Sequence, residues 1–144
     1  MGACLVLAGG CGGDEDGGDT DAFRAALAIE AAFTKAWLNL ALLLFKGKRL
    51  QLSLEAYRQV LAVEEEQPVA WNGIGLVLAE LKKYEDARNA FGRAIQSRPE
   101  YAEAHYNLSF ALSNLGDFEG ALRETKRALE IVGDDGLTAG AVKG

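Results

Sequence analysis

The sequence predicts an all-α protein, a superhelix of helical hairpins made of three repeats and a preceding half repeat. Three observations predict this. The first is a period of 34 residues: Trp37, Trp71 and His105 stand that far apart, and the units 34–67, 68–101 and 102–135 follow without a gap. The second is the spacing of large apolar residues, which recur at helical intervals on two segments of every unit. The third is a pair of positions kept small: Ala41, Gly75 and Ser109 occupy one, and Ser53, Ala87 and Ala121 the other. Small side chains let the two helices of a hairpin cross closely, and a large one would force them apart.

The elements follow in order. Residues 1–20 form a glycine-rich, acidic extension. Residues 21–33 read as a half repeat, because Phe23, Ala26 and Leu27 fall where the second helix of a unit carries its apolar residues. The spacing then predicts helices over 34–46 and 50–64 in the first unit, 68–81 and 84–97 in the second, and 102–115 and 118–132 in the third. With a helix over 21–32 this makes seven. Residues 136–144 are a short C-terminal tail.

The middle unit is the clearest. It reads Pro68-Val-Ala-Trp71-Asn-Gly-Ile74-Gly75-Leu-Val-Leu78, then Tyr84-Glu-Asp-Ala87-Arg-Asn-Ala-Phe91-Gly-Arg-Ala94-Ile95, and closes near Pro99. This resembles the tetratricopeptide repeat family, whose pattern sets a large residue, Leu-Gly, an aromatic, Ala, Phe, Ala and Pro at fixed offsets. The third unit matches through Leu108, Ser109, Leu112, Gly116, Phe118, Ala121, Ala128 and Leu129. The first matches more loosely, through Trp37, Leu40, Ala41, Leu44, Leu50, Ser53, Tyr57, Val60 and Leu61. Val60 stands where a small residue is usual and should widen its hairpin slightly; Glu65 and Gly133 stand where the closing proline is common. His105 replaces the usual tryptophan and is read as a packed core position rather than a base or ligand, since no cysteine, serine or carboxylate cluster shares its register.

The resemblance implies a right-handed superhelix with the first helix of each hairpin lining the concave face. Carried over by offset, that face holds Leu38, Asn39, Leu42 and Phe45 from the first unit, Asn72 and Leu76 from the second, and Tyr106, Asn107 and Phe110 from the third. The apolar members offer anchors. The asparagines can hydrogen-bond an extended backbone, because a carboxamide both donates and accepts. Some members of the family grip a C-terminal carboxylate with lysine and arginine in this groove. The matching positions here are Leu38, Leu42, Gly73, Glu103 and Asn107, none of them cationic, so that clamp is not expected.

Composition narrows the function. The 144 residues carry a formal net charge of −6 and no clustered basic surface, which argues against a nucleic-acid partner. No apolar run approaches the ~20 residues that span a bilayer. The only histidine is far from the only two cysteines, Cys4 and Cys11, so neither a metal site nor a cofactor is expected. The cysteines read as incidental thiols, or as a disulfide if the chain is exported. No nucleophile–base pair or phosphate loop is present, and no enzyme is expected.

The ends differ from the repeats. Residues 1–13 are similar to the end of a bacterial lipoprotein signal, although the apolar stretch is only Leu5 to Ala8 and no lysine or arginine precedes it. Such a signal would place the chain in the cell envelope or outside the cell. Met1-Gly2 also fits N-myristoylation, but Val6 stands where serine or threonine is required. Asp14, Asp16, Asp19 and Asp21 read as a solvated linker, since Gly18 falls where a calcium ligand would be needed. Leu5, Val6 and Leu7 could lie in a groove of this chain or of a neighbour, and Leu122, Leu129 and Val132 have no capping helix after them. Two functions therefore stand. The first is a protein–protein interaction scaffold that holds a partner's peptide or helix. The second is a self-assembling structural subunit, a head-to-tail oligomer or filament with its N-terminal segment docked on the next copy.

Overall fold

A computed structural model of the protein describes residues 20–134, with side chains from 29 to 133. The predicted features at Cys4 to Val6, Leu7, Cys11, the acidic run before Thr20 and the tail from 136 lie outside the described residues. Among the described residues six helices follow one another: α1 Thr20–Lys46, α2 Leu50–Val63, α3 Pro68–Glu80, α4 Tyr84–Ser97, α5 Ala102–Asn114 and α6 Phe118–Asp134. The hairpins are α1–α2, α3–α4 and α5–α6, which make the most extensive contacts, while α2–α3 and α4–α5 join one hairpin to the next. The first helices also touch in succession, α1 on α3 and α3 on α5, and so form the inner layer of the stack.

The three hairpin turns are copies of each other. Lys48, Lys82 and Gly116 sit 34 residues apart and all adopt left-handed backbone, with φ of 64°, 63° and 90°. The amide of Arg49 returns to the Leu44 carbonyl at 2.8 Å, Lys83 to Leu78 at 2.8 Å and Asp117 to Leu112 at 2.9 Å, which closes a Schellman motif each time. Between hairpins the chain leaves the helix through extended residues, Glu64 and Arg98. The second unit then restarts at Pro68, where a missing N–H costs nothing, and the Gln67 side chain accepts from the Val69 amide.

One boundary differs from the expectation. The break predicted at Phe33 is absent, and the helix predicted over 21–32 is continuous with that of 34–46 as the 27-residue α1. The reason is local. No glycine or proline interrupts this alanine-rich stretch, and alanine is the best helix former. Thr34, the weakest residue near the expected break, turns its hydroxyl back to the Glu30 carbonyl at 3.0 Å within the helix. One continuous helix cannot be both the second helix of a preceding hairpin and the first helix of the next.

The small positions do what their size requires. Ala41, Ser53 and Ala87 are wholly buried, and Ser109 nearly so. In the first hairpin the two positions meet, the Ser53 hydroxyl donating to the Ala41 carbonyl at 2.8 Å. Val60 is buried as well, in the cluster that joins α1 through α4. A Cβ added to Gly75 would run into the Phe91 ring, whereas one added to Gly92 on α4 would meet nothing within 4 Å. Both are helical glycines, so alanine should gain about 1 kcal/mol of helix propensity at either. At Gly75 overpacking costs about 1–3 kcal/mol and wins. Urea unfolding should therefore show Gly75→Ala destabilised by about 1 kcal/mol and Gly92→Ala stabilised by somewhat less than that.

Candidate partner-binding groove

The inner layer carries a depression of about 420 Å³. Phe45 of α1, Leu76 of α3, and Tyr106, Asn107 and Phe110 of α5 all line it. Five of the nine predicted groove residues thus come together. Leu42 and Asn39 lie exposed elsewhere on α1, and Leu38 packs partly against the core. The apolar wall is open to solvent: Tyr106 is 59% exposed and Phe110 50%.

The offsets missed one wall of the depression. Tyr84 begins α4, a second helix, yet its ring centroid is 6.2 Å from that of Phe110 at a tilt of 53°. The left-handed turn at Lys82 brings the start of α4 to the rim, and Lys82 and Glu80 line the same edge. The sequence signal was an aromatic directly after the turn. Glu80 reaches Lys48 at 3.4 Å across neighbouring units, an exposed pair that adds little stability.

The asparagines behave differently from the predicted rail. Asn72 and Asn107 are buried and bond to each other, the Asn107 amide donating to the Asn72 Oδ1 at 3.0 Å. Asn39 alone of the three is exposed. The pair sits among tyrosines that pack between α2, α3 and α5. Burial raises the Tyr101 hydroxyl above the usual tyrosine pKa and Glu103 adds to this, while Arg98 and a hydrogen bond from Asn72 pull it down. Burial also raises Tyr57, with Tyr101 and Glu103 contributing. Gly73 is small because the Tyr57 ring lies where its Cβ would be. Asn107 therefore has a structural duty. Asn107→Ala leaves the Asn72 carbonyl oxygen buried and unpaired, and thermal or urea unfolding should show a loss of about 1–2 kcal/mol.

His105 is buried, as expected for a core position, but it is not without a carboxylate. Its Nε2 donates to the Pro99 carbonyl at 2.9 Å, and its Nδ1 lies 2.7 Å from Glu124 Oε1 on α6. One unit earlier the Trp71 indole N–H donates to the Glu65 carbonyl at 2.9 Å. Histidine thus keeps the tryptophan's bond to the preceding connection and adds a link to its own hairpin partner. Among the described residues, no three His, Cys, Asp or Glu side chains form a metal-binding group, and no helix is long and apolar enough to cross a membrane.

Stacked helical hairpins with an apolar trough along their first helices define an all-α repeat scaffold. Tetratricopeptide repeat profiles match residues 34–67, 52–91 and 78–142, and the chain belongs to the tetratricopeptide repeat family. The solved structures agree on the fold. The crystal structure of MamA is similar at TM-score 0.67 and 21% identity over 72% of this chain, which spans 60% of that protein. The second tetratricopeptide domain of Spaghetti (RPAP3), bound to the HSP90 peptide SRMEEVD, is similar at TM-score 0.66 and 18% identity, covering 68% of this chain and 91% of that one. An O-GlcNAc transferase mutant of Thermobaculum terrenum gives TM-score 0.69 and 29% identity over 71% of this chain but only 20% of its own. No curated protein matches the sequence.

Proposed function

We propose that this chain is a protein–protein interaction scaffold whose inner groove holds an extended peptide, or one apolar helix face, of a protein partner. The observation that carries this is the trough itself: Tyr106 and Phe110, half exposed or more, stand beside a 420 Å³ depression floored by Leu76 and Phe45. Aromatic rings with few rotatable bonds are efficient anchors for a partner's side chains. Peptide binding by the similar RPAP3 domain supports the reading. The grip on a terminal carboxylate does not carry over. Leu38, Leu42, Gly73, Glu103 and Asn107 offer no cation, and Gly73 is covered by Tyr57. Panning a random peptide library against the full chain should enrich sequences with spaced large apolar residues, and amidating their C-termini should leave affinity unchanged. Phe110→Ala should weaken the selected peptides at least tenfold, about 1.4 kcal/mol. Equal binding by that variant would place the ligand elsewhere.

A second reading, self-assembly, is favoured by a separate observation. Leu122 and Leu129 of α6 are 61% and 66% exposed. Isolated large apolar residues are normal on a surface, but several on one side of the last described helix form a surface that a neighbour can cover.

A further inference from the structure

The repeat allows the same position to be examined with and without a neighbouring hairpin. The third, seventh and tenth residues of each unit lie on one stripe of its first helix. In the second unit they are Ala70, Ile74 and Val77, all buried. In the third they are Ala104, Leu108 and Ala111; the first and last are fully buried, and Leu108 is half-buried. In the first unit they are Ala36, Leu40 and Leu43. Ala36 is exposed, Leu40 is 42% exposed and Leu43 65%. The residues are of the same kind, but among the described residues no hairpin packs on this side of α1.

The other end shows the converse. The residue that begins each second helix is Leu50, Tyr84 and then Phe118, half-buried in the first two units and 69% exposed in the last. Four residues on, Leu54 and Arg88 are buried or half-buried, and Leu122 is open. Seven further on, Leu61 and Ile95 are half-buried, and Leu129 is open. Each end of the stack therefore displays one half of the junction that joins successive hairpins inside it.

We infer that the face of α6 bearing Phe118, Leu122 and Leu129 is the docking site for a second copy of this chain, which seats the Leu40 and Leu43 face of its α1 there and continues the stack head to tail. This rests on the self-assembly reading and names its interface. The occupant follows from continuity with the internal junction. α2 packs on α3 and α4 on α5 inside the chain, and α1 carries that same stripe of residues at the same repeat positions. Helix lengths agree with it. In the internal junctions the end of a second helix lies beside the start of the next first helix, joined by the short connections 64–67 and 98–101. α6 has 17 residues where α2 and α4 have 14, and α1 starts at Thr20, well before its unit. Both extensions fall on the same edge of the proposed junction. Joining unlike faces leaves a free face at either end, so the assembly grows.

The test uses the full chain. Light scattering over increasing concentration should give a mass rising above 15.4 kDa for the wild type. Leu43→Glu disables only the head face and the pair Leu122→Glu, Leu129→Glu only the tail face. Each should remain at 15.4 kDa alone, and the two mixed should form a 1:1 pair of twice that mass and no more, because a single live junction remains between them. Circular dichroism melts close to wild type would show both variants folded, as expected for substitutions at exposed sites. A wild type that stays at 15.4 kDa up to the highest concentration overturns both this inference and the self-assembly reading. A wild type that assembles together with variants that still assemble overturns the α1–α6 junction alone. Assembly by one variant without the other means like faces meet, and also overturns it. The groove reading is read separately in Leu43→Glu, where peptide binding through Phe110 should survive; Leu122 shares a depression with Tyr106 and Phe110, so the tail variant is not used for that purpose.

Discussion

Phe91→Ala should cost about 3–5 kcal/mol and uncouple the third hairpin from the rest. Phe91 is 1% exposed and the largest of the fully buried side chains. Its ring occupies the space that Gly75 leaves open on α3, and it packs with Ala87, Ala111 and Leu108, so it holds one hairpin closed and joins it to the next. Its fully buried neighbours, Ala87, Ala111 and Gly75, are too short to extend into the space. The cavity would persist, and cavity volume is what raises the cost above simple transfer from water. In a linear repeat array each hairpin depends on its neighbour for part of its stability. The loss should thus appear in urea unfolding as a broadened or two-step transition, not only as an earlier midpoint. Phe91→Leu, which keeps most of the volume, should lose about 1–1.5 kcal/mol and retain a single transition. Equal losses for the two variants would mean that the ring is not the keystone described.

His105→Ala should cost about 2–3 kcal/mol. Two contacts go at once, to the Pro99 carbonyl and to Glu124. The carboxylate left behind is only 25% exposed, so water replaces the lost partner incompletely. That partial exposure is also why the figure stays below the cost of breaking a fully buried ion pair. His105→Trp supplies the bond that Trp71 makes one unit earlier, but strands Glu124. Paired with Glu124→Leu it should recover most of the loss, whereas His105→Ala with Glu124→Leu should recover only the part owed to the carboxylate. Calorimetry on the four variants separates the two contacts. If His105→Trp alone matches the wild type, the link to Glu124 contributes nothing.

These two residues also show how differently the sequence disclosed its contacts. Phe91 was legible as a repeat position, because the second unit sets an aromatic at a fixed offset from the small Gly75, as the first sets Tyr57 from Ala41, although the third has Thr125 there. His105 was legible as a core position but not as a bonded one. Glu124 is nineteen residues away on another helix, and nothing local in the sequence marks the pairing. The asparagines fail for the same reason. By offset Asn72 and Asn107 both point inward, but whether a carboxamide faces the groove or its counterpart depends on how closely α3 and α5 approach. The groove's second wall, Tyr84, required knowing that the start of α4 swings over the inner layer. At α1 the two sources of sequence information disagreed: the repeat register placed a boundary at Phe33, and local propensity saw no reason to stop.

The sequence by itself determined the hairpins, their number in the repeat region, the small residues at their crossings and the apolar character of the inner face. These depend on side-chain size and period, which are properties of one chain segment at a time. The tertiary structure decided which inward polar groups are already paired, how far α1 runs, and that α1 also carries a bare apolar face. Those depend on the distance between helices and on the presence or absence of a neighbour, which no local pattern encodes: Leu43 and Val77 occupy the same repeat position, and only the hairpin packed against Val77 separates an exposed residue from a buried one.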